Sequence, residues 1–195
     1  MTDKNIYSHR LVFIDTEFTD FINTELISIG LVTDDGHHSF YAEVDDYNPK
    51  LCSEFVRNVV LPELNPEKFQ MGRSEAAARL YCWLEELQGE FILCPDYMAD
   101  WELFADLVET LPPNIHNKPL MFHPMLNQMI MKKAEELQTP DLAWFFGQAK
   151  KRYAEGFLEY FLRNPSPRQH HAGADAKAIR TGFLKVVDWL NNHGY

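Results

Sequence analysis

The chain has 195 residues, and its 46% hydrophobic and 13% aromatic content suits one folded domain, which excludes a disordered chain. The net charge of −11 argues against long contacts with duplex nucleic acid, because such surfaces are normally basic. No segment approaches the roughly 18 consecutive apolar residues of a membrane span, and the N-terminal MTDKNIYSHR lacks the apolar part of a secretory signal. We therefore expect a single domain over residues 1–195 in a soluble, cytoplasmic protein with no membrane partner.

The first part of the chain predicts three strands. Val12–Glu17 is an apolar run that turns polar at its end, and Glu25–Asp34 is rich in Ile, Leu and Val. The turn dipeptide Asp35-Gly36 leads into His38–Val44, which alternates as a strand does. We expect a hairpin at this turn and an antiparallel arrangement of the first two strands.

Helices then alternate with two further short strands. Ser74 can cap a helix over residues 75–87, which Gly89 ends. This order of elements predicts an α/β fold in which helices cover a mixed five-stranded sheet. The remaining predicted elements are strands Phe91–Cys94 and Leu120–Phe122, helices Ala99–Leu111, Leu126–Leu137, Leu142–Phe161 and Ala172–Asn191, and a loop at Asn164–Arg168.

The three cysteines do not suggest a zinc site. Their number is odd, their spacing is wide and no CxxC pair is present. Cys52, Cys82 and Cys94 all have apolar neighbours in the sequence, so we expect three buried, reduced thiols.

Two carboxylates stand at the end of the first strand. Asp15 and Glu17 are two residues apart, so in a strand they point to the same face. Like charges placed side by side repel, and a divalent cation removes this penalty. Magnesium and manganese prefer such oxygen ligands. The alternative is a solvated strand end or a helix-capping acid.

A second acidic group follows the strand Phe91–Cys94. Asp96 and Asp100 stand where this strand leads into a helix, at the edge of the sheet where ligand sites in α/β proteins usually lie. The alternative is that aspartate serves here only as a helix N-cap.

A third group combines histidine with aspartate. A proline-containing loop leads to His170 and His171, and Asp175 follows in the first turn of the last helix. Histidine is the side chain best suited to accept a proton near neutral pH. Together, the carboxylates of Asp15, Glu17, Asp100 and Asp175 could hold two cations about 4 Å apart while a histidine takes a proton from water. The alternative is two exposed loop histidines and an aspartate that favours the helix dipole.

In their order and spacing these motifs resemble the DEDDh branch of the DEDD exonuclease superfamily. The matching residues are Asp15-x-Glu17, then Asp100, then His170 with four residues before Asp175, whereas His171 would leave a gap one residue too short. The resemblance implies an RNase H-like fold and two Mg²⁺ or Mn²⁺ ions held by the four acids. It also implies His170 as the general base and release of nucleoside 5′-monophosphates from the 3′ end.

One position departs from the family pattern. The second motif often has asparagine four residues before the metal-binding aspartate, and here that position is Asp96. Asp96 could cap the helix equally well but adds a negative charge near the site, so Asp100 is the predicted metal ligand.

A finer resemblance concerns the substrate. Residues 13–21, FIDTEFTDF, and the following TELISIGLV are similar to small adenylate-specific exoribonucleases of the RNase AS type. This resemblance implies single-stranded RNA 3′ ends, adenylate-rich ones among them, as the partner. The alternatives are a 3′→5′ DNA exonuclease, a catalytically silent nucleic-acid binding module, and an α/β protein whose acids are only caps.

Three further residues are predicted to contact the substrate. The resemblance favours Phe18 against the terminal base, if a bend in the strand turns it there, and the backbone of Thr16 against the terminal sugar. Arg168 is the basic residue closest in sequence to His170 and could contact a phosphate. The alternatives are a core position for Phe18 and a solvated surface charge for Arg168.

Many aromatic residues cluster in the predicted helix Leu142–Phe161, with Met125, Met129 and Met131 before it. We expect them to form core or subunit interface, and together with the family resemblance they predict a homodimer.

Overall fold

The structure is a computed structural model that describes residues 9–192. Most of the N-terminal stretch judged above to lack a secretory signal lies outside the described residues. No helix within residues 9–192 combines the length and the apolar character needed to span a membrane.

Five strands form one mixed sheet, with β2 paired antiparallel to β1 and β3, while β5 runs parallel to β1 and β4 parallel to β3. The spatial order is β4-β3-β2-β1-β5. The predicted α/β layout with a mixed five-stranded sheet is thus confirmed, and it is consistent with an RNase H-like fold. The strands are β1 Arg10–Phe18, β2 Leu26–Thr33, β3 Ser39–Val44, β4 Gln70–Met71 and β5 Phe91–Pro95.

Six α-helices are described over residues 9–192, besides short helical turns at Pro49–Leu51, Val56–Val60 and Leu61–Glu63. Between β2 and β3 the chain reverses at Gly36, whose φ of +75° is the left-handed conformation that glycine adopts without strain. The helices are α1 Pro66–Phe69, α2 Arg73–Glu86, α3 Met98–Leu107, α4 Phe122–Glu136, α5 Leu142–Arg163 and α6 Ala172–Asn192.

The predicted strand Leu120–Phe122 is wrong. The amide of Leu120 donates one hydrogen bond to the carbonyl of Leu93, at 2.9 Å, but Phe122 already begins α4. One bond does not make a ladder, and the fifth strand is instead the two-residue β4, which is too short to be seen as an apolar run.

Helix boundaries also differ from the prediction. Ser74 is not the N-cap of α2, because the helix begins at Arg73 and Gly72 precedes it. α3 ends at Leu107 rather than Leu111, since Val108 leaves the helical conformation with φ −111° and ψ 92°. α4 begins four residues early because proline is tolerated in the first turn of a helix.

The sheet has an apolar core on each face, and β1 contributes to both. Leu11 and Phe13 pack among residues of α4, α5 and α6, whereas Val12 and Ile14 pack among residues of α2 and α3. Because strand residues alternate between faces, Asp15 and Glu17 continue the face covered by α6. The strand thereby directs both carboxylates toward the last helix.

The predicted burial of the cysteines is confirmed for two of the three. Cys52 and Cys94 are buried and Cys82 is exposed, and all three are free thiols. Cys82 lies within α2, on the side of the helix turned away from Leu80 and Leu84, which are buried. Its apolar sequence neighbours did not reveal which side of the helix it occupies.

Candidate active site

The end of β1 and the start of α3 are joined through Thr16 and Asp100. The Thr16 amide and hydroxyl both donate to Oδ1 of Asp100, at 3.0 and 2.6 Å. The Tyr97 amide donates to the other oxygen of Asp100 at 2.9 Å. These three donors fix a carboxylate that is only 3% exposed, in the first turn of α3, where the helix dipole favours a negative charge.

Asp96 does not cap α3, because Tyr97 is the residue that precedes the helix. The amide of Tyr97 donates a hydrogen bond to the Asp100 side chain. Its Oδ1 lies 2.9 Å from Nε2 of His123, a residue of α4. Burial raises the pKa of Asp96, and His123 opposes this rise. Asp96 therefore adds a carboxylate at the side of the site, next to the imidazole ring of His123.

The approach of α6 to the sheet depends on Gly30. Gly30 pairs with Asp15 in the β1–β2 ladder, and a Cβ atom at this position would lie 2.3 Å from the carbonyl oxygen of Ala172. Only glycine lets the first turn of α6 come this close. The contact brings Asp175, in that first turn, against the carboxylates of β1.

His170 reaches the same place from the loop before α6. Its backbone amide donates to Oδ2 of Asp175 at 2.7 Å, and its φ of +69° is an uncommon, strained conformation for a non-glycine residue. Ligand atoms of Glu17, His170 and Asp175 all lie within 4.8 Å of one another. The ring of Phe55 packs edge-on against the His170 ring, with centroids 4.9 Å apart.

His171 points elsewhere. It is buried, and its ring stacks on Tyr41 with centroids 4.2 Å apart. The Ala174 amide also lies 3.3 Å from its Nδ1. His171 thus supports the start of α6, and the structure places His170 alone of the two beside the carboxylates.

These side chains line one cleft of about 280 Å³. Its described lining includes five carboxylates and one histidine, and no lysine or arginine. A polyanionic substrate could not approach such a surface unless another positive charge were present. The lining residues are Asp15, Thr16, Glu17, Phe18, Phe21, Asp96, Tyr97, Asp100, Phe157, Gln169, His170, Asp175 and Ile179.

Burial and mutual repulsion raise the pKa values of the carboxyl groups. Burial, followed by the charges of Asp100 and Asp175, raises the pKa of Asp15 well above its usual range. Burial and nearby carboxylates raise the pKa of Glu17 to about 8. Burial raises the pKa of Asp100 to about 6, against hydrogen bonds from Thr16, and that of Asp175 to about 7.

The carboxylate oxygens of the cleft fit a divalent cation as ligands. Oδ1 of Asp175 is buried and has no hydrogen-bond partner within residues 9–192. None of the ion pairs found among those residues neutralises Asp15, Glu17, Asp100 or Asp175. Four carboxylates with an orphaned oxygen are the hard ligands that Mg²⁺ and Mn²⁺ prefer.

Aromatic rings form one wall of the cleft. The β1–β2 register shifts between Glu17 and Phe18, and this irregularity brings Phe18 to the lining although it also packs on the core. Its ring meets Phe21 edge-on at 5.1 Å, and Phe21 meets Tyr97 at 6.2 Å. Phe21 is 75% exposed and Tyr97 is 58% exposed, so a large part of each side chain is open to solvent.

Two predicted substrate contacts are placed less directly. Both donors of Thr16 are engaged by Asp100, so Thr16 serves to hold that carboxylate. Arg168 is exposed and does not line the cleft, and its amide donates to Glu63 at 2.9 Å. A contact of either residue with substrate remains a prediction.

No protein-family model matches the chain. Two curated relatives, both named 3′-5′ exoribonuclease, come from Mycobacterium tuberculosis strains CDC 1551 and H37Rv. Each is 44% identical to the chain over 69 residues, which is 35% of this chain. The chain matches only 40% of the length of these relatives.

Some residues of the site were not predicted from the sequence. Gly30 acts through a close contact with α6, and Phe55, Tyr97 and Gln169 reach the cleft region from three separate segments of the chain. Phe21 belongs to the FIDTEFTDF segment, but the sequence did not predict that its ring would line the cleft.

Proposed function

We propose that the protein is a metal-dependent 3′→5′ exoribonuclease that removes nucleotides one at a time from single-stranded RNA. The observation that carries this proposal is the convergence of four carboxylates and His170 in one cleft without basic lining residues among those described. The two relatives named 3′-5′ exoribonuclease support the choice of RNA and of the 3′ end. The DEDDh spacing of His170 and Asp175 supports the same chemistry.

The cation ligands in this proposal are Asp15, Glu17, Asp100 and Asp175. When bound, Mg²⁺ or Mn²⁺ would supply the positive charge that attracts the phosphodiester, activates water and stabilises the leaving oxygen. Thr16 and Tyr97 hold the Asp100 carboxylate in a fixed orientation, so this ligand need not be reorganised on binding.

His170 takes the proton of the attacking water at an imidazole nitrogen. Burial lowers the pKa of His170, so its ring is neutral and able to accept a proton at pH 7. As the water oxygen bonds to phosphorus, the bond from phosphorus to the 3′ oxygen breaks. The 3′ oxygen leaves with the shortened chain, and the terminal nucleotide is released as a nucleoside 5′-monophosphate.

The aromatic wall binds the last bases of the strand. Stacking on an aromatic ring contributes about 1–3 kcal/mol per base without requiring a particular sequence. Phe18 meets the terminal base, and the exposed rings of Phe21 and Tyr97 accept the bases that follow. Arg168 contacts a phosphate from its exposed loop, and the preference for adenylate rests on the resemblance of residues 13–21 to RNase AS.

The proposal includes a homodimer. Phe145, Met125 and Met129 belong to the core, but Trp144 is 57% exposed and Met131 is 38% exposed. Leu158 and Leu162, also on α5, are 58% and 84% exposed. A second copy that covers this side of α5 would remove these side chains from water.

The test is a time course with 5′-labelled oligomers of single-stranded RNA, rich in adenylate or in uridylate, beside DNA of matched sequence. With Mg²⁺ or Mn²⁺ we expect RNA to shorten stepwise from its 3′ end, adenylate-rich RNA fastest, and EDTA or Asp15→Ala to stop it. Faster loss of DNA would favour the DNA exonuclease. No shortening of any oligomer would remove the catalytic proposal.

A further inference from the structure

A second group of metal-ligating side chains lies at the opposite ends of the strands from the cleft. His9, Glu90 and His116 each offer one ligand atom, and the three atoms lie within 4.8 Å of one another. His9 and Glu90 immediately precede β1 and β5, whereas Asp15 and Glu17 stand near the far end of β1. This group is therefore distinct from the cleft carboxylates.

Strand pairing holds the backbone of Glu90 and His116 and of Arg10, the residue that follows His9. β1 and β5 are parallel and pair from Arg10 and Phe91 onward, and the Arg10 amide donates to the carbonyl of Glu90 at 3.3 Å. The His116 amide donates to the carbonyl of Phe91 at 2.9 Å, next to a parallel bridge between Phe91 and Ile115. Three adjacent extended segments thus deliver the three side chains.

The loop that carries His116 is anchored to the helix layer as well. The side-chain amide of Asn114 donates to the carbonyls of Leu84 and Leu87, at 2.9 and 3.0 Å. These bonds tie residues 112–117 to the end of α2. Sites built on such rigid segments hold their ligands more precisely than sites on free loops.

The two imidazole rings already lie together. The rings of His9 and His116 meet edge-on, with centroids 4.4 Å apart. Nε2 of His116 is buried and has no hydrogen-bond partner within residues 9–192. A buried polar atom without a partner is unfavourable and calls for an unseen ligand or solvent. Glu90 is exposed, which leaves a path for a cation to enter.

Two imidazole nitrogens and one carboxylate oxygen select a particular class of cation. Imidazole suits Zn²⁺ and its neighbours, whereas Mg²⁺ prefers oxygen ligands only. Ligand atoms around a tetrahedral zinc lie roughly 3.3 Å apart, a spacing that small side-chain rotations would reach here. We propose that His9, Glu90 and His116 form a zinc site that clamps the starts of β1 and β5 to residues 112–117.

The test is isothermal titration calorimetry of Zn²⁺ into the full chain in excess Mg²⁺, which competes for the oxygen ligands of the cleft. The Asp175→Asn variant is titrated in parallel, so that zinc bound in the cleft is recognised by its loss there. We expect Asp175→Asn to bind one zinc per chain. His116→Ala and Glu90→Gln should each lower the affinity for zinc by at least about tenfold. His37→Ala, a change at an exposed histidine outside the cluster, serves as the matched control and should bind zinc unchanged.

Circular dichroism of each variant checks that the fold is kept. If His116→Ala proves unstable, Glu90→Gln still tests the site, because it changes only an exposed side chain. Absence of zinc binding in Asp175→Asn would overturn the proposal. So would zinc binding that is unaffected by Glu90→Gln in a folded protein. Because the readout is heat of binding, the result does not depend on nuclease activity.

Discussion

At the residue scale, the hydrogen-bond donors around each carboxylate decide how freely it can serve as a ligand. Asp100 is held by three donors from Thr16 and Tyr97. Asp175 receives the His170 amide on Oδ2, but its Oδ1 is buried without a partner within the described chain. Asp175 therefore has one oxygen that positions the histidine loop and one that is available for a cation.

The substitution Asp175→Asn tests this division. We expect turnover to fall by at least about 100-fold, because a neutral amide is a poor ligand for a divalent cation. Stability in EDTA should be unchanged or higher, since one of the repelling charges is gone. The measurements are the rate of RNA shortening and thermal unfolding in EDTA.

Asp188→Asn is the matched control, because Asp188 is an exposed residue of the same helix. It should leave activity unchanged. Near-normal turnover by Asp175→Asn would contradict the assignment of Asp175 as a ligand.

Substitutions of the two adjacent histidines should have different effects on catalysis and on stability. His170→Ala should lower kcat by about 10²–10⁴, the usual contribution of a general base, with little change in the melting temperature. His171→Ala should mainly destabilise the protein, because it removes a buried ring stacked on Tyr41. Steady-state kinetics and thermal unfolding of both variants separate the two roles. A larger loss of kcat in folded His171→Ala than in His170→Ala would reverse the assignment.

At the scale of elements, the site exists because α6 approaches β2 at Gly30. Ala172 and Gly173 of α6 lie where a Cβ of residue 30 would be, at 2.3 to 2.4 Å. The contact sets the distance between the carboxylates of β1 and Asp175. A change at residue 30 should therefore act on catalysis without touching a ligand.

Gly30→Ala should lower both stability and activity. The added methyl group forces α6 away, at a cost of about 1–3 kcal/mol in the free energy of unfolding. A displacement near 1 Å in the site can reduce the rate by about 100-fold. Denaturant unfolding and RNA shortening measure the two effects.

Gly147→Ala is the control for Gly30→Ala. Gly147 lies within α5, and no atom of residues 9–192 lies within 4 Å of a Cβ placed there. Alanine at this position should stabilise the protein by about 0.5–1 kcal/mol and leave activity unchanged. A Gly30→Ala protein as active and stable as Gly147→Ala would show that the close approach is not needed.

The sequence predicted elements with a local signature better than those made by distant contacts. β1 and α6 have strong apolar patterns, and the acids at their ends were found because each motif occupies a few consecutive residues. Gly30 and the Thr16–Asp100 bonds join residues far apart in the chain, so local patterns did not reveal them. The roles of the acids and of His170 stay predictions.

At the scale of the whole molecule, the carboxylate cluster should make stability depend on pH and on metal. The folded-state pKa values of Glu17, about 8, and Asp175, about 7, lie above the values near 4 expected in an unfolded chain. The stability they contribute is complete below about pH 4 and is lost as pH rises through these folded values. Without metal, these groups should therefore weaken the fold between pH 5 and pH 8.

We expect the free energy of unfolding in EDTA to fall over this pH range, by up to about 1.4 kcal/mol per pH unit for each proton released. Mg²⁺ at pH 8 should recover much of the loss, because the proposed binding to the native carboxylates would favour the folded state. Urea unfolding at several pH values measures the slope, and Asp175→Asn should make it shallower. If the free energy of unfolding in EDTA instead rises toward pH 8, the carboxyl groups are neutralised by other means.

If the cleft hydrolyses the last phosphodiester bond of an RNA strand, as proposed above, the first product is a single nucleotide, and its identity is the decisive measurement. An RNA oligomer labelled in its 3′-terminal nucleotide is incubated with the protein and Mg²⁺ or Mn²⁺, and the early products are separated by chromatography. We expect the label to appear first as the nucleoside 5′-monophosphate, and no label to be released in EDTA. Label released in longer fragments or as a nucleoside without phosphate would contradict it.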